Sequence, residues 1–100
     1  MFVVLWEFEV KPGCENRFER VYGVNGEWAA LFRSDAFYRE TRLLRDASRA
    51  LVYVTMDAWD SREAFDEFLR ARKEEYKTLD AACEGLTAME RRIGAYEEIV

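Results

Sequence analysis

Residues 2–10, Phe-Val-Val-Leu-Trp-Glu-Phe-Glu-Val, constrain the fold more than any other stretch. Phe2, Val4, Trp6, Phe8 and Val10 recur at the two-residue period of a β-strand with one buried face. Val3 and Leu5 give the opposite face an apolar start before Glu7 and Glu9 turn it polar. A strand apolar on both sides needs cover on both sides.

After Lys11-Pro12-Gly13 the period changes. Cys14, Phe18, Val21 and Tyr22 form one helical stripe, and Gly23 ends it. Asn25-Gly26 marks a turn, and Glu27–Phe32 reads as a short helix with Trp28, Leu31 and Phe32 on one side. A second strand is expected over Phe37–Arg45 and a third over Leu51–Trp59, close enough for a hairpin. Asp60 or Ser61 can cap the next helix, with Glu63 at capping-box spacing from Asp60. Phe65, Phe68, Leu69, Tyr76, Leu79, Cys83 and Leu86 follow at helical intervals, as one long helix or as two joined near Tyr76–Thr78. Met89–Ile99 is the last strand, with Gly94 a candidate bulge or close-approach point. The order β-α-(short α)-β-β-α-β predicts an α+β, ferredoxin-like βαββαβ fold: one domain over residues 1–100, with a four-stranded antiparallel sheet carrying helices on one face.

The other sheet face should be polar if it meets water, and here it is not. Either parity leaves Val3 and Leu5, or five larger residues, uncovered on strand one. Strand three does the same, with Leu51, Tyr53 and Trp59 opposite Val52, Val54 and Met56. Leaving four such side chains exposed forgoes ~1.5–3 kcal/mol each. A homodimer joined through the sheet faces is the expected solution.

Several functional classes are excluded. With 15 basic and 20 acidic residues the net charge is −5, which disfavours phosphate backbones, and no basic Gly-aromatic strand motif is present, so no nucleic-acid partner is expected. No stretch approaches ~18 apolar residues, and the opening Met-Phe-Val-Val-Leu-Trp is too short for a signal segment before it meets Glu7, so no membrane association and a cytoplasmic location are expected. Cys14 and Cys83 lack the spacing of a metal or redox pair and read as free thiols. The chain has no histidine, which removes Ser-His-Asp and Cys-His catalysis, imidazole zinc sites and histidine-ligated haem. No carboxylate cluster has metal-ligand spacing, so no metal is expected. Gly23-Val24-Asn25-Gly26 is no phosphate loop, because it lacks both the pattern and the strand-to-helix setting.

Aromatic residues beside a few polar groups remain. Trp28 and Phe32 precede the second strand, Tyr38, Arg39 and Thr41 lie on it, and Tyr53 and Thr55 lie on the third. An apolar pocket with a few polar groups suits a small aromatic ligand. Each aromatic taken singly fits the core equally well, and strand arginines are more often ion-paired than catalytic.

Trp6-Glu7-Phe8-Glu9-Val10-Lys11-Pro12-Gly13, with Phe18-Glu19 and Tyr22-Gly23, resembles the opening of antibiotic biosynthesis monooxygenase domains. Gly26-Glu27-Trp28-Ala29, Thr41-Arg42-Leu43-Leu44-Arg45-Asp46 and Tyr53-Val54-Thr55-Met56-Asp57-Ala58-Trp59 continue the resemblance over nearly the whole chain. It implies a homodimeric α+β barrel. In some members of the family a quinol or polyketide aromatic is oxygenated by molecular oxygen with no bound cofactor; a haem-degrading branch uses a histidine ligand, which this chain lacks. The expectation is a cofactor-free, monooxygenase-like protein acting on a small aromatic or quinol, with Trp28, Phe32, Tyr38, Arg39, Thr41 and Tyr53 as the candidate substrate-binding set. The alternative is a non-catalytic dimeric module that binds a small molecule or serves in stress.

Overall fold

The computed structural model describes residues 1–100. Strand β1 (Phe2–Val10) leads into helices α1 (Glu15–Tyr22) and α2 (Glu27–Phe32), then the hairpin β2 (Tyr38–Arg45) and β3 (Val52–Trp59). Helices α3 (Arg62–Ala71) and α4 (Lys73–Cys83), a 3-10 turn at Glu84–Leu86 and β4 (Thr87–Glu97) complete the chain. The sheet order is β2-β3-β1-β4, and every paired neighbour is antiparallel. This is the α+β, ferredoxin-like arrangement expected from the sequence.

Register settles which parity faces the helices. Phe2 lies opposite Trp59, Val4 opposite Asp57, Trp6 opposite Thr55 and Phe8 opposite Tyr53. These even positions of β1 and odd positions of β3 pack under the helices, where Phe18, Trp59, Phe68 and Val10 are almost fully enclosed. The core is largely aromatic: Phe18 stacks on Tyr22 at 4.2 Å, and Trp59 lies 4.9 Å from Phe68.

Local chemistry sets the element ends. Gly13 turns the chain at φ +89°, a left-handed conformation that suits glycine, and its N–H donates to the Glu15 carboxylate. Ser61 caps α3, its hydroxyl oxygen accepting from the Ala64 N–H at 3.1 Å, while Asp60 is engaged by Arg39. The final helical region is two helices, and they part at Arg72 (φ −114°, ψ 27°), earlier than the expected joint near Tyr76–Thr78. The stripe through Phe65, Phe68 and Leu69 would carry Arg72 inward in a continuous helix. At the break its guanidinium pairs with Glu75 at 2.9 Å.

The last strand starts at Thr87, opposite Val10, and ends at Glu97, two residues earlier at each end than expected. Its bulge falls where Leu5 pairs with Gly94 but Trp6 with Arg92, leaving Ile93 extra. A Cβ on Gly94 would approach the Tyr96 hydroxyl to 2.8 Å. Another irregularity opens β2: Tyr38 pairs with Trp59 and Glu40 with Ala58, so Arg39 is the extra residue.

The other sheet face carries Val3, Leu5, Val54 and Met56, flanked by Leu44 (52 % exposed) and Tyr96 (49 %). Glu7, on the same face, is held by Arg49 at 3.1 Å and Arg91 at 3.4 Å. The Arg49 hydrogen bond is the main reason its carboxyl sits below the usual glutamate range. No helix is long and apolar enough to cross a membrane.

Candidate functional site

Between the helices and the sheet lies a cavity of about 360 Å³. Its floor comes from three strands, with Val4, Trp6 and Phe8 of β1, Thr41 of β2, and Thr55 and Asp57 of β3. Tyr22 of α1, Trp28 and Phe32 of α2, and Phe65 of α3 form the wall. Tyr76 and Asp80 of α4, with Glu90 of β4, complete the lining. The rings brace one another: Trp28 meets Tyr76 edge-on at 4.8 Å and Phe32 at 5.9 Å.

A hydrogen-bonded chain runs along the floor. The Tyr38 hydroxyl lies 2.6 Å from Thr41 Oγ1, and the Thr41 hydroxyl donates to Asp57 Oδ1 at 2.6 Å. Because the Thr41 proton goes to Asp57, Tyr38 is the donor in the other bond. Asp57 has no cationic partner among the ion pairs of the fold. Burial pushes its carboxyl up from 3.8 to about 6, and the Thr41 hydrogen bond opposes that rise only in part. Burial also raises the Tyr38 phenol. Tyr76 is pushed up to about 12, first by burial and then by the carboxylates of Asp80, Asp57 and Glu90. Glu90 is raised by burial, with Asp80 and Glu84 adding to the effect.

Thr55 is 4 % exposed and lines the cavity. The Trp28 indole N–H is buried and unpaired; the Tyr22 hydroxyl and Cys83 thiol lie nearby without reaching hydrogen-bond geometry. Cys83 is buried and Cys14 half-buried, and both are free. No group of three His, Cys, Asp or Glu side chains is arranged to hold a metal ion.

Of the six residues singled out in the sequence, Trp28, Phe32 and Thr41 line the cavity, and Tyr38 reaches it through Thr41. Arg39, the extra residue of the β2 irregularity, points to the surface and pairs with Asp60. Tyr53 lies under α1, against Phe18 at 5.0 Å, and donates to Glu19 Oε2 at 2.5 Å; neither lines the cavity. Asp57, Tyr76, Asp80 and Glu90 were not foreseen. Asp57 shares the parity of Tyr53, Thr55 and Trp59, and only the strand pairing shows that this parity faces the core.

Fold and cavity together define a small ferredoxin-like domain with a ligand-sized chamber under its helices. The family model for antibiotic biosynthesis monooxygenase matches residues 1–79, and the chain belongs to that family. Among solved structures it is similar to SnoaB, a cofactor-independent oxygenase from Streptomyces nogalater, with 20 % identity and a TM-score of 0.72 over 99 % of this chain and 93 % of that one. It is also similar to PA3566 from Pseudomonas aeruginosa (15 % identity, TM-score 0.69, 99 % and 94 % covered) and Rv0793 from Mycobacterium tuberculosis (16 %, 0.70, 99 % and 95 %). At these identities the likeness establishes the shared fold. No curated protein matches the sequence.

Proposed function

We propose that this protein binds a small phenolic or quinol aromatic in the chamber under its helices and promotes its oxygenation by molecular oxygen without a bound cofactor. The observation that carries this reading is the placement of Asp57, a carboxylate without a cationic partner on the floor of an aromatic-walled cavity. A ring of phenol size fits a volume of about 360 Å³. With its carboxyl raised to about 6, Asp57 is ionised at neutral pH yet basic enough to accept a phenolic proton. The resulting phenolate is electron-rich and serves as the reductant of oxygen. One oxygen atom stays on the substrate and the other leaves as water, all electrons coming from the substrate. Thr41 and Tyr38 orient the carboxyl through their hydrogen bonds, and Trp28, Phe32 and Tyr76 keep water from the ring.

A second copy of the chain, seated on the open sheet face, is the proposed partner. Val3, Leu5, Val54, Met56 and Leu44 form an apolar surface there, and its burial against an equivalent surface satisfies both copies.

Oxygen uptake with a panel of quinols and phenols tests the reading. The expected rate rises with pH through about 6, and Asp57→Asn lowers kcat by roughly 10²-fold or more. An Asp57→Asn enzyme with wild-type rates would refute the assigned role. Tight binding of the panel with no uptake would leave a non-catalytic binding module.

A further inference from the structure

The thirteen residues lining the cavity include three carboxylates, Asp57, Asp80 and Glu90, and no lysine or arginine. The cations closest in effect, Arg33 near Tyr38 and Arg92 near Tyr76, are exposed and outside the lining. The acids fall into two groups. Asp57 lies deep on the floor opposite Val4, hydrogen-bonded to Thr41. Glu90 lies opposite Phe8, four residues further along β1, or ~13 Å at ~3.3 Å per residue. Asp80 follows Tyr76 by one turn of α4, and both Asp80 and Glu90 are exposed at the rim. Trp6, Phe8, Trp28 and Tyr76 line the same chamber. The Trp28 indole N–H, in the same lining, is buried and has no partner in the protein.

We infer that the occupant of this chamber is an aromatic with a protonated amine, its ammonium held at the rim by Asp80 and Glu90 and its ring hydroxyl directed to Asp57 and Thr55 on the floor. This rests on the reading of the chamber as a ligand site and adds the charge of the ligand. Aromatic faces beside carboxylates attract an ammonium group twice over, through the ring quadrupole and through direct charge. The same lining repels a carboxylate-bearing ligand, since it holds three carboxylates and no cation. A neutral phenol would gain only the floor contacts.

Three para-substituted phenols isolate that charge: tyramine (cationic), 4-ethylphenol (neutral) and 4-hydroxyphenylacetate (anionic). Calorimetric titration of the full chain under nitrogen separates binding from turnover. Tyramine should bind roughly tenfold more tightly than 4-hydroxyphenylacetate, with 4-ethylphenol between them. An Asp80→Asn, Glu90→Gln double variant, confirmed as folded by its melting curve, should lower tyramine to the affinity of 4-ethylphenol. Equal affinity for all three, preference for the anion, or an undiminished tyramine preference in the double variant overturns the inference and leaves the aromatic chamber standing. No binding by any of the three at millimolar concentration overturns both.

Discussion

Replacing Asp57 with asparagine should make the protein more stable, and only above mildly acidic pH. The folded carboxyl holds its proton up to about pH 6, whereas its ordinary value is 3.8. Between those values the native state binds more protons than the unfolded chain, so this group's contribution to stability falls as pH rises and stays low above about 6. The shift corresponds to about 3 kcal/mol at most, and water entering the cavity mouth reduces it to about 1–2 kcal/mol. Asparagine keeps the carbonyl oxygen that accepts from Thr41 but carries no charge to desolvate. Urea unfolding of both proteins at about pH 4 and about pH 8 checks this. The variant should match wild type at the lower pH and exceed it by about 1–2 kcal/mol at the higher, or ~4–16 °C in melting temperature. Other carboxylates titrate equally in both proteins and cancel in the difference. A variant no more stable at the higher pH, or stabilised equally at both, would refute a desolvated charge on the cavity floor.

Further outcomes follow from the packing. Phe68→Ala, at a side chain 1 % exposed between Trp59 and Phe32, should cost about 3–5 kcal/mol in chemical denaturation. Ser61→Ala should cost about 1 kcal/mol by removing the α3 cap, whereas Asp60→Ala should change stability by less than about half as much, read from the same curves. Gly26→Ala would drive a methyl into the carbonyl oxygens of Arg20 and Val21 at the α1–α2 turn, and a loss of about 2 kcal/mol or more in melting experiments is expected. Leu5→Asp together with Val54→Lys, on the open sheet face, should yield a monomer in sedimentation at micromolar concentration; a wild type that sediments as a monomer would remove the proposed dimer.

The fold was legible because strand and helix periods alternate cleanly along the chain. Five alternating large residues in Phe2–Val10 and the β-rich Leu51–Trp59 leave little choice of element. Parity was not legible, since Val3 and Leu5 make the second face of β1 as apolar at its start as the first. Pairing decides it, with Glu7 drawn to Arg49 and Arg91 on the open side. The site was only half legible for a related reason. Trp28, Phe32 and Thr41 announce themselves by type and position, but Asp80 and Glu90 read as ordinary solvated charges until the fold brings α4 and β4 to one opening. Arg39 and Tyr53 looked equally suited to a pocket. The β2 irregularity carries the first outward, and Glu19, 34 positions away, captures the second.

The division of the chamber between a base on β1, β2 and β3 and an opening shared by α4 and β4 separates two demands, holding the fold together and meeting the ligand. Val4, Phe8, Thr41 and Thr55 hold the sheet and core together and tolerate little change. Asp80 and Glu90 carry almost none of that burden, being exposed and outside the core cluster. If the proposed ligand role of the chamber holds, exchanging them redirects which molecules are admitted at small risk to folding, through one or two substitutions in α4 and β4.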